Sequence, residues 1–124
     1  GHMTTYSYDE NENLLFKFGQ KGGGTGKMAR PRGIAVDDER GRIYIADYLR
    51  HTISLYSMDG TFLSEFGGLG ESRGWFNFPT DVCVDSRGHV LVTDTFNHRV
   101  QVFKVIDLVG EDEPVLIVPM SETP

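Results

Sequence analysis

The segment with the most direct chemical suggestion is Lys21-Gly-Gly-Gly-Thr-Gly-Lys27. A phosphate-binding loop needs Gly-x-x-x-x-Gly-Lys-Ser/Thr after a strand, so that backbone N–H groups at a helix start can cradle phosphate. Here Lys21 holds the first glycine position, Met28 holds the Ser/Thr position, and no helical pattern follows. The segment reads as a glycine-rich loop, and no cofactor is expected. Four aspartates, Asp37, Asp47, Asp85 and Asp94, each end a short apolar run. General acid–base catalysis would need two carboxylates converging on one substrate with separated pKa values. An aspartate at a strand end more simply accepts N–H bonds from the turn that follows. His51 and His98 are weak candidates for metal ligation, because a metal site needs three or four converging ligands and the chain adds only His89 and His2. The single cysteine, Cys83, excludes an internal disulfide and a multi-cysteine zinc site. No helix N-terminus or adjacent base marks it as a nucleophile. No catalytic residue is assigned.

The remaining candidates are binding groups. Trp75 and Phe78 flank Phe76 in an aromatic loop, and exposed aromatics, Trp above all, serve as interface anchors. The competing expectation for both is packing within the molecule or against another chain. Lys27, Arg30 and Arg32 form a basic cluster, with Arg73 as a neighbour from the corresponding loop and Arg99 as a further cation. Such a patch could hold a nucleic-acid backbone. The chain nevertheless carries 18 Asp+Glu against 12 Lys+Arg, which makes nucleic acid an unfavourable main partner.

The elements that position these groups come in copies. Pro31-Arg-Gly-Ile-Ala-Val-Asp37 returns 48 residues later as Pro79-Thr-Asp-Val-Cys-Val-Asp85. Ile43-Tyr-Ile-Ala-Asp47 returns as Val90-Leu-Val-Thr-Asp94 at a spacing of 47, because Asp38-Glu-Arg-Gly41 shortens to Ser86-Arg-Gly88. His51-Thr-Ile-Ser-Leu-Tyr56 matches His98-Arg-Val-Gln-Val-Phe103, and Leu14–Gly19 matches Phe62–Gly67. Internal repetition at such a period is the signature of a repeat architecture. Apolar residues alternate with period two over short runs bounded by Gly, Asp and Asn, the pattern of half-buried strands. Strands are expected near 33–37, 43–47, 53–57 and 61–66, and again near 81–85, 89–94 and 99–105. Val115–Val118 is either a closing strand or a loose tail. Gly22 and Gly26 align with Gly70 and Gly74, where no lysine follows, which supports the loop reading of the first segment. Asp37/Asp85, Asp47/Asp94, Pro31/Pro79 and Gly26/Gly74 are therefore taken as structural repeat residues. Cys83 aligns with Ala35 and is expected as a small side chain tucked between repeats.

These residues resemble the NHL repeat. Phe66-Gly67, Gly74-Trp-Phe-Asn-Phe-Pro79, Val84-Asp85, Gly88, Thr93-Asp94 and Asn97-His-Arg-Val100 follow its pattern. The first copy departs from it, with Met28 for the phenylalanine and Leu49-Arg-His-Thr52 for the asparagine-containing turn. The resemblance implies an all-β fold of four-stranded antiparallel propeller blades, commonly six to a ring. Residues 1–3 read as an expression-tag remnant and 4–19 as outer strand material of a preceding blade. Residues 20–67 and 68–109 form blades one and two, and 110–124 form an acidic turn with a candidate closing strand and tail. One chain thus holds an incomplete ring, and a sheet packed on one side only leaves apolar surface in water. Completion by copies of the chain is expected, three copies making six blades, the alternative being a fragment of a longer propeller that associates or swaps strands less regularly.

The 39% hydrophobic and 11% aromatic content suit a packed core, and no stretch approaches the ~20 apolar residues of a membrane helix. The compartment is not legible. The resulting expectation is a non-enzymatic protein- or peptide-binding scaffold and homo-oligomer, without a membrane partner. The resemblance also brings two alternatives, an RNA-binding module and a metal-dependent propeller lyase or hydrolase.

Overall fold

The computed structural model describes the backbone of residues 5–8, 14–18, 20–21, 27–108 and 115–123, and side chains over 28–108 and 115–120. The chain runs β1 (Thr5–Tyr8), β2 (Leu14–Phe18), β3 (Gln20–Lys21), β4 (Lys27–Met28), β5 (Pro31–Asp37), β6 (Arg42–Asp47), β7 (Thr52–Ser57) and β8 (Phe62–Gly67). It continues through β9 (Pro79–Val84), β10 (Val90–Asp94), a single 3-10 turn (Thr95–Asn97), β11 (Arg99–Asp107) and β12 (Val115–Thr123). Two four-stranded antiparallel sheets dominate, β5-β6-β7-β8 and β9-β10-β11-β12, each a meander in chain order. These are two propeller blades. β1 and β2 pair separately, and β3 and β4 make a short parallel pair that the second repeat reproduces as the Leu69–Phe76 bridge.

The run beginning at Val115 is a strand, nine residues long and paired with β11 from Val100↔Thr123 to Asp107↔Val115. Residues 1–3, the acidic run 111–113 and Gly26 lie outside the described residues, as do the side chains of Leu14–Phe18 and Lys27.

Register decides which residues share a face. Ala35, Tyr44 and Leu55 stand opposite one another across β5, β6 and β7, as do Ala46 and Ile53. Their face of blade one packs against the face of blade two that carries Val82, Val90, Val92 and Phe103, and Phe76 joins them from the connecting loop. Gly67 ends β8 at φ +106, and a Cβ there would collide with the Phe76 ring, whose Cε2 is 2.6 Å away and whose Cδ2 is nearer still. The position thus needs glycine twice, for its left-handed backbone and for the close approach of the ring.

The outward faces are different. On blade one, Ile43, Ile45 and Tyr56 are buried with Met28, yet Ile34 and Val36 are 53% and 51% exposed. On blade two, Cys83, Leu91 and Val102 share the outward face. Cys83 is exposed, a correction to the expectation that it lies between blades. Its counterpart Ala35 faces blade two, whereas Cys83 faces the side on which no described sheet stands.

Candidate interface

Each blade is tied together at one end by the aspartate that closes its second strand. In blade two, Asp94 is fully buried. Its carboxylate accepts from Asn77 N–H (2.7 Å), Arg99 Nε (2.7 Å), Asn97 Nδ2 (3.0 Å) and Gln101 Nε2 (3.2 Å). The same side chains reach on to the loop before β9. Arg99 donates to Ser72 and Trp75 carbonyls, Gln101 to the Trp75 carbonyl, and Asn97 to the Gly70 carbonyl, while Gly74 N–H donates to Gln101 Oε1 at 2.9 Å. Four-fold satisfaction is what allows a carboxylate–guanidinium pair to sit in the interior.

In blade one, among the described residues, Asp47 accepts from backbone N–H groups, those of Ala29 (2.7 Å), Arg30 (3.0 Å) and Arg50 (3.3 Å). Arg50 instead pairs with Glu65 at 2.8 Å. Asp37 and Asp85 accept from their own following turns, Asp37 from Arg40 N–H and Asp85 from Arg87 and His89 N–H. Hydrogen bonding from that turn draws the exposed Asp85 carboxyl below its ordinary pKa, against a burial effect that raises it. The Asp47 and Asp94 pattern was not legible in the sequence, since each aspartate draws donors both from a loop 17 or 18 residues upstream and from residues that follow it.

Among the described residues, the side chains of His51, Arg40 and Arg42 make polar links across the joint between blades. At one end, His51 takes a left-handed backbone, φ 58, and its Nδ1 accepts the Phe78 N–H at 2.9 Å. The rings meet edge to face with centroids 4.4 Å apart. Burial holds the His51 pKa below 6.5, outweighing Asp47 and Asp94, which raise it. That direction keeps Nδ1 unprotonated and able to accept. At the other end, Arg40 reaches from the β5–β6 turn to the Ser86 carbonyl at 3.2 Å and lies over Gly88. A Cβ on Gly88 would come within 2.7 Å of Arg40 Cδ, so the glycine makes room for the arginine. Buried Arg42 pairs with Asp107 of β11.

The candidate binding residues separate under this geometry. Phe78, itself left-handed at φ 57, is enclosed by Tyr48, His51 and Phe96, with ring centroids 4.4–4.7 Å away. Arg99 is anchored to Asp94 and is withdrawn from the exposed surface, a correction to its place among the binding cations. Trp75 is 49% exposed and its ring covers Gly68 and Gly70. Arg30, Arg32 and Arg73 are exposed, Arg32 with its guanidinium 4.9 Å from the Tyr48 ring centre. Pro79 is buried and Pro31 half-buried. His98 repeats the left-handed backbone of His51, φ 54, but is exposed. Among the described residues, no three His, Cys, Asp or Glu side chains converge as metal ligands, and no helix is long and apolar enough to cross a membrane.

Sequence comparison places this geometry among known repeats. The NHL repeat matches residues 28–55 and 76–103, the two segments that run from the loop before each blade into its third strand. Human E3 ubiquitin-protein ligase NHLRC1 is 28% identical over 81 residues, covering 65% of this chain and 20% of that protein. Protein lin-41 of Caenorhabditis elegans is 39% identical over 61 residues, 48% of this chain and 5% of the relative. NHL repeat-containing protein 2 of Gallus gallus is 32% identical over 106 residues, 76% of this chain and 14% of the relative. The matches thus span a fifth or less of each of these three relatives.

Proposed function

Because the chain carries two NHL repeats built as propeller blades, we propose that it is a non-enzymatic assembly and binding module whose two outward blade faces receive further blades. Copies of the chain supply them, three two-blade copies making a six-bladed ring. One contrast supports this reading. Val82 of β9, facing the joint, is 3% exposed, while Ile34, its counterpart on β5, is 53% exposed. The fold buries the position wherever a neighbouring sheet is present.

A joint of this kind is head-to-tail: the outward face of blade two meets the outward face of blade one on the next copy. Heterologous contacts close into rings when the rotation between copies allows it. The half-exposed Trp75 and the exposed Arg30, Arg32 and Arg73 remain for a protein or peptide ligand. The RNA reading is weakened by the commitment of Arg99 to Asp94.

Light scattering after size exclusion tests the assembly. A mass three times that of the chain supports it. A monodisperse single chain throughout the micromolar range overturns it.

A further inference from the structure

The two ends of the existing joint are not equally transferable to a second copy. The histidine end is not reproduced. The counterpart of Phe78 is Arg30, whose N–H is already held by Asp47 Oδ1 at 3.0 Å, and Arg30 lacks the left-handed backbone of Phe78. The N–H that would match His98 on blade one is therefore already engaged.

The arginine end transfers with a gain in charge complementarity. Arg40 of blade one reaches the turn Asp85–Gly88 of blade two. Its counterpart on blade two is Arg87, which is exposed and makes no ion pair among the described residues. On a second copy the turn facing Arg87 is Asp37–Gly41. That turn offers the exposed carboxylates of Asp38 and Glu39, whereas on blade two Arg40 bonds to the Ser86 carbonyl and the exposed carboxylate of that turn, Asp85, accepts from Arg87 and His89 N–H. Glu39 has a side chain 80% exposed, 3.6 Å from Arg40. Gly41 stands in the place of Gly88, and the space a Cβ would take there meets nothing nearer than 3.8 Å. An arginine can lie over it as Arg40 lies over Gly88.

We infer that Arg87 is the recognition residue of the open face of blade two, and that its partner is the acidic Asp38-Glu39 turn of blade one on a second copy of this chain. The inference rests on the assembly reading above and assigns the charged contact that sets its register. The new joint differs from the internal one near the inner strands. Gly33 is pressed against Asp81, with the space for a Cβ only 2.9 Å from Asp81 Cα. At the new joint Asp81 takes the place of Gly33, so its own Cβ holds the inner strands farther apart. The turn end, where charge and space agree, then dominates the docking.

The test is sedimentation equilibrium on the intact chain, wild type against Arg87→Glu, Asp38→Arg/Glu39→Arg, and the three changes combined. Opposed rim charges alter association in a salt-dependent way. Arg87→Glu and the double variant should each weaken self-association by about tenfold or more, and the combined variant should recover most of the loss. Recovery also shows that the single changes did not act through misfolding. If wild type assembles and Arg87→Glu assembles equally well, the arginine inference falls while the assembly reading stands. If wild type remains a single chain at every concentration, both fall.

Discussion

Val82 and Ile34 occupy the same place in their repeats and the same face of their blades, yet one is 3% and the other 53% exposed. Tyr44 and Leu55, facing the joint, are fully buried, while their counterparts Leu91 and Val102 on the outward face of blade two are only partly covered. The sequence pattern is alike in both repeats. What differs is the presence of a sheet opposite. A blade cannot bury its own two faces, and stacking of neighbouring units supplies the core. The joint is thus both the core of this chain and a template for what its open faces fit.

A second contrast lies within the blades. Asp94 is enclosed by a guanidinium, two amide side chains and a backbone N–H, whereas the donors Asp47 meets among the described residues are backbone groups. Removing a carboxylate from a buried pair strands its partner charge. Asp94→Ala should therefore lower stability by about 3–5 kcal/mol. Asp47→Ala leaves unsatisfied N–H groups but no orphaned cation, and should cost about 1–3 kcal/mol. Urea denaturation midpoints of the two variants check the order. Equal losses would mean that Arg99 contributes nothing particular to blade two.

The faces can be separated in the same way. Ile53 is fully buried at the joint, and Ile53→Ala should cost about 2–5 kcal/mol. In dilute chains that are not associated, Ile34→Ala should change stability by no more than about 0.5 kcal/mol. The same Ile34→Ala substitution should weaken self-association if that face receives a second copy. A large loss from Ile34→Ala in dilute solution would show that the face is already covered within one chain.

Much of this was legible because repetition and period-two alternation are local signals. The strands and the burial of Phe76 in the place of Met28 follow from comparing two copies, while the glycines of the glycine-rich segment lie outside the described residues. The joint was less legible. Whether Cys83 is covered depends on a neighbouring sheet, which no alternation within β9 encodes. The donors of Asp94 come from a loop 17 residues upstream and from side chains 3, 5 and 7 residues downstream. Asn97 and Arg99 sit in the repeat pattern, but Arg50 and Thr52 stand in their places in the first copy, so comparing the copies did not show their common target. Arg40 lies in the one turn where the copies differ in length, which hid its correspondence to Arg87.

The smallest expected effect concerns the histidine end of the joint. His51 Nδ1 can accept the Phe78 N–H only while that nitrogen carries no proton, and burial keeps the folded pKa below 6.5. Between the folded value and 6.5 the unfolded chain binds the proton more readily than the folded one, so stability rises with pH in that window. The contribution of His51 is complete above pH 6.5 and is lost as pH falls toward the folded value. The chain carries other histidines, so the informative quantity is the difference between wild type and His51→Gln. That difference should shrink as the pH is lowered from 7 toward 5 in denaturation experiments on dilute chains. A difference that stays constant with pH would mean that the bond between His51 and Phe78 is not coupled to folding. The joint would then be held at that end by the stacking of His51, Phe78, Tyr48 and Phe96 alone.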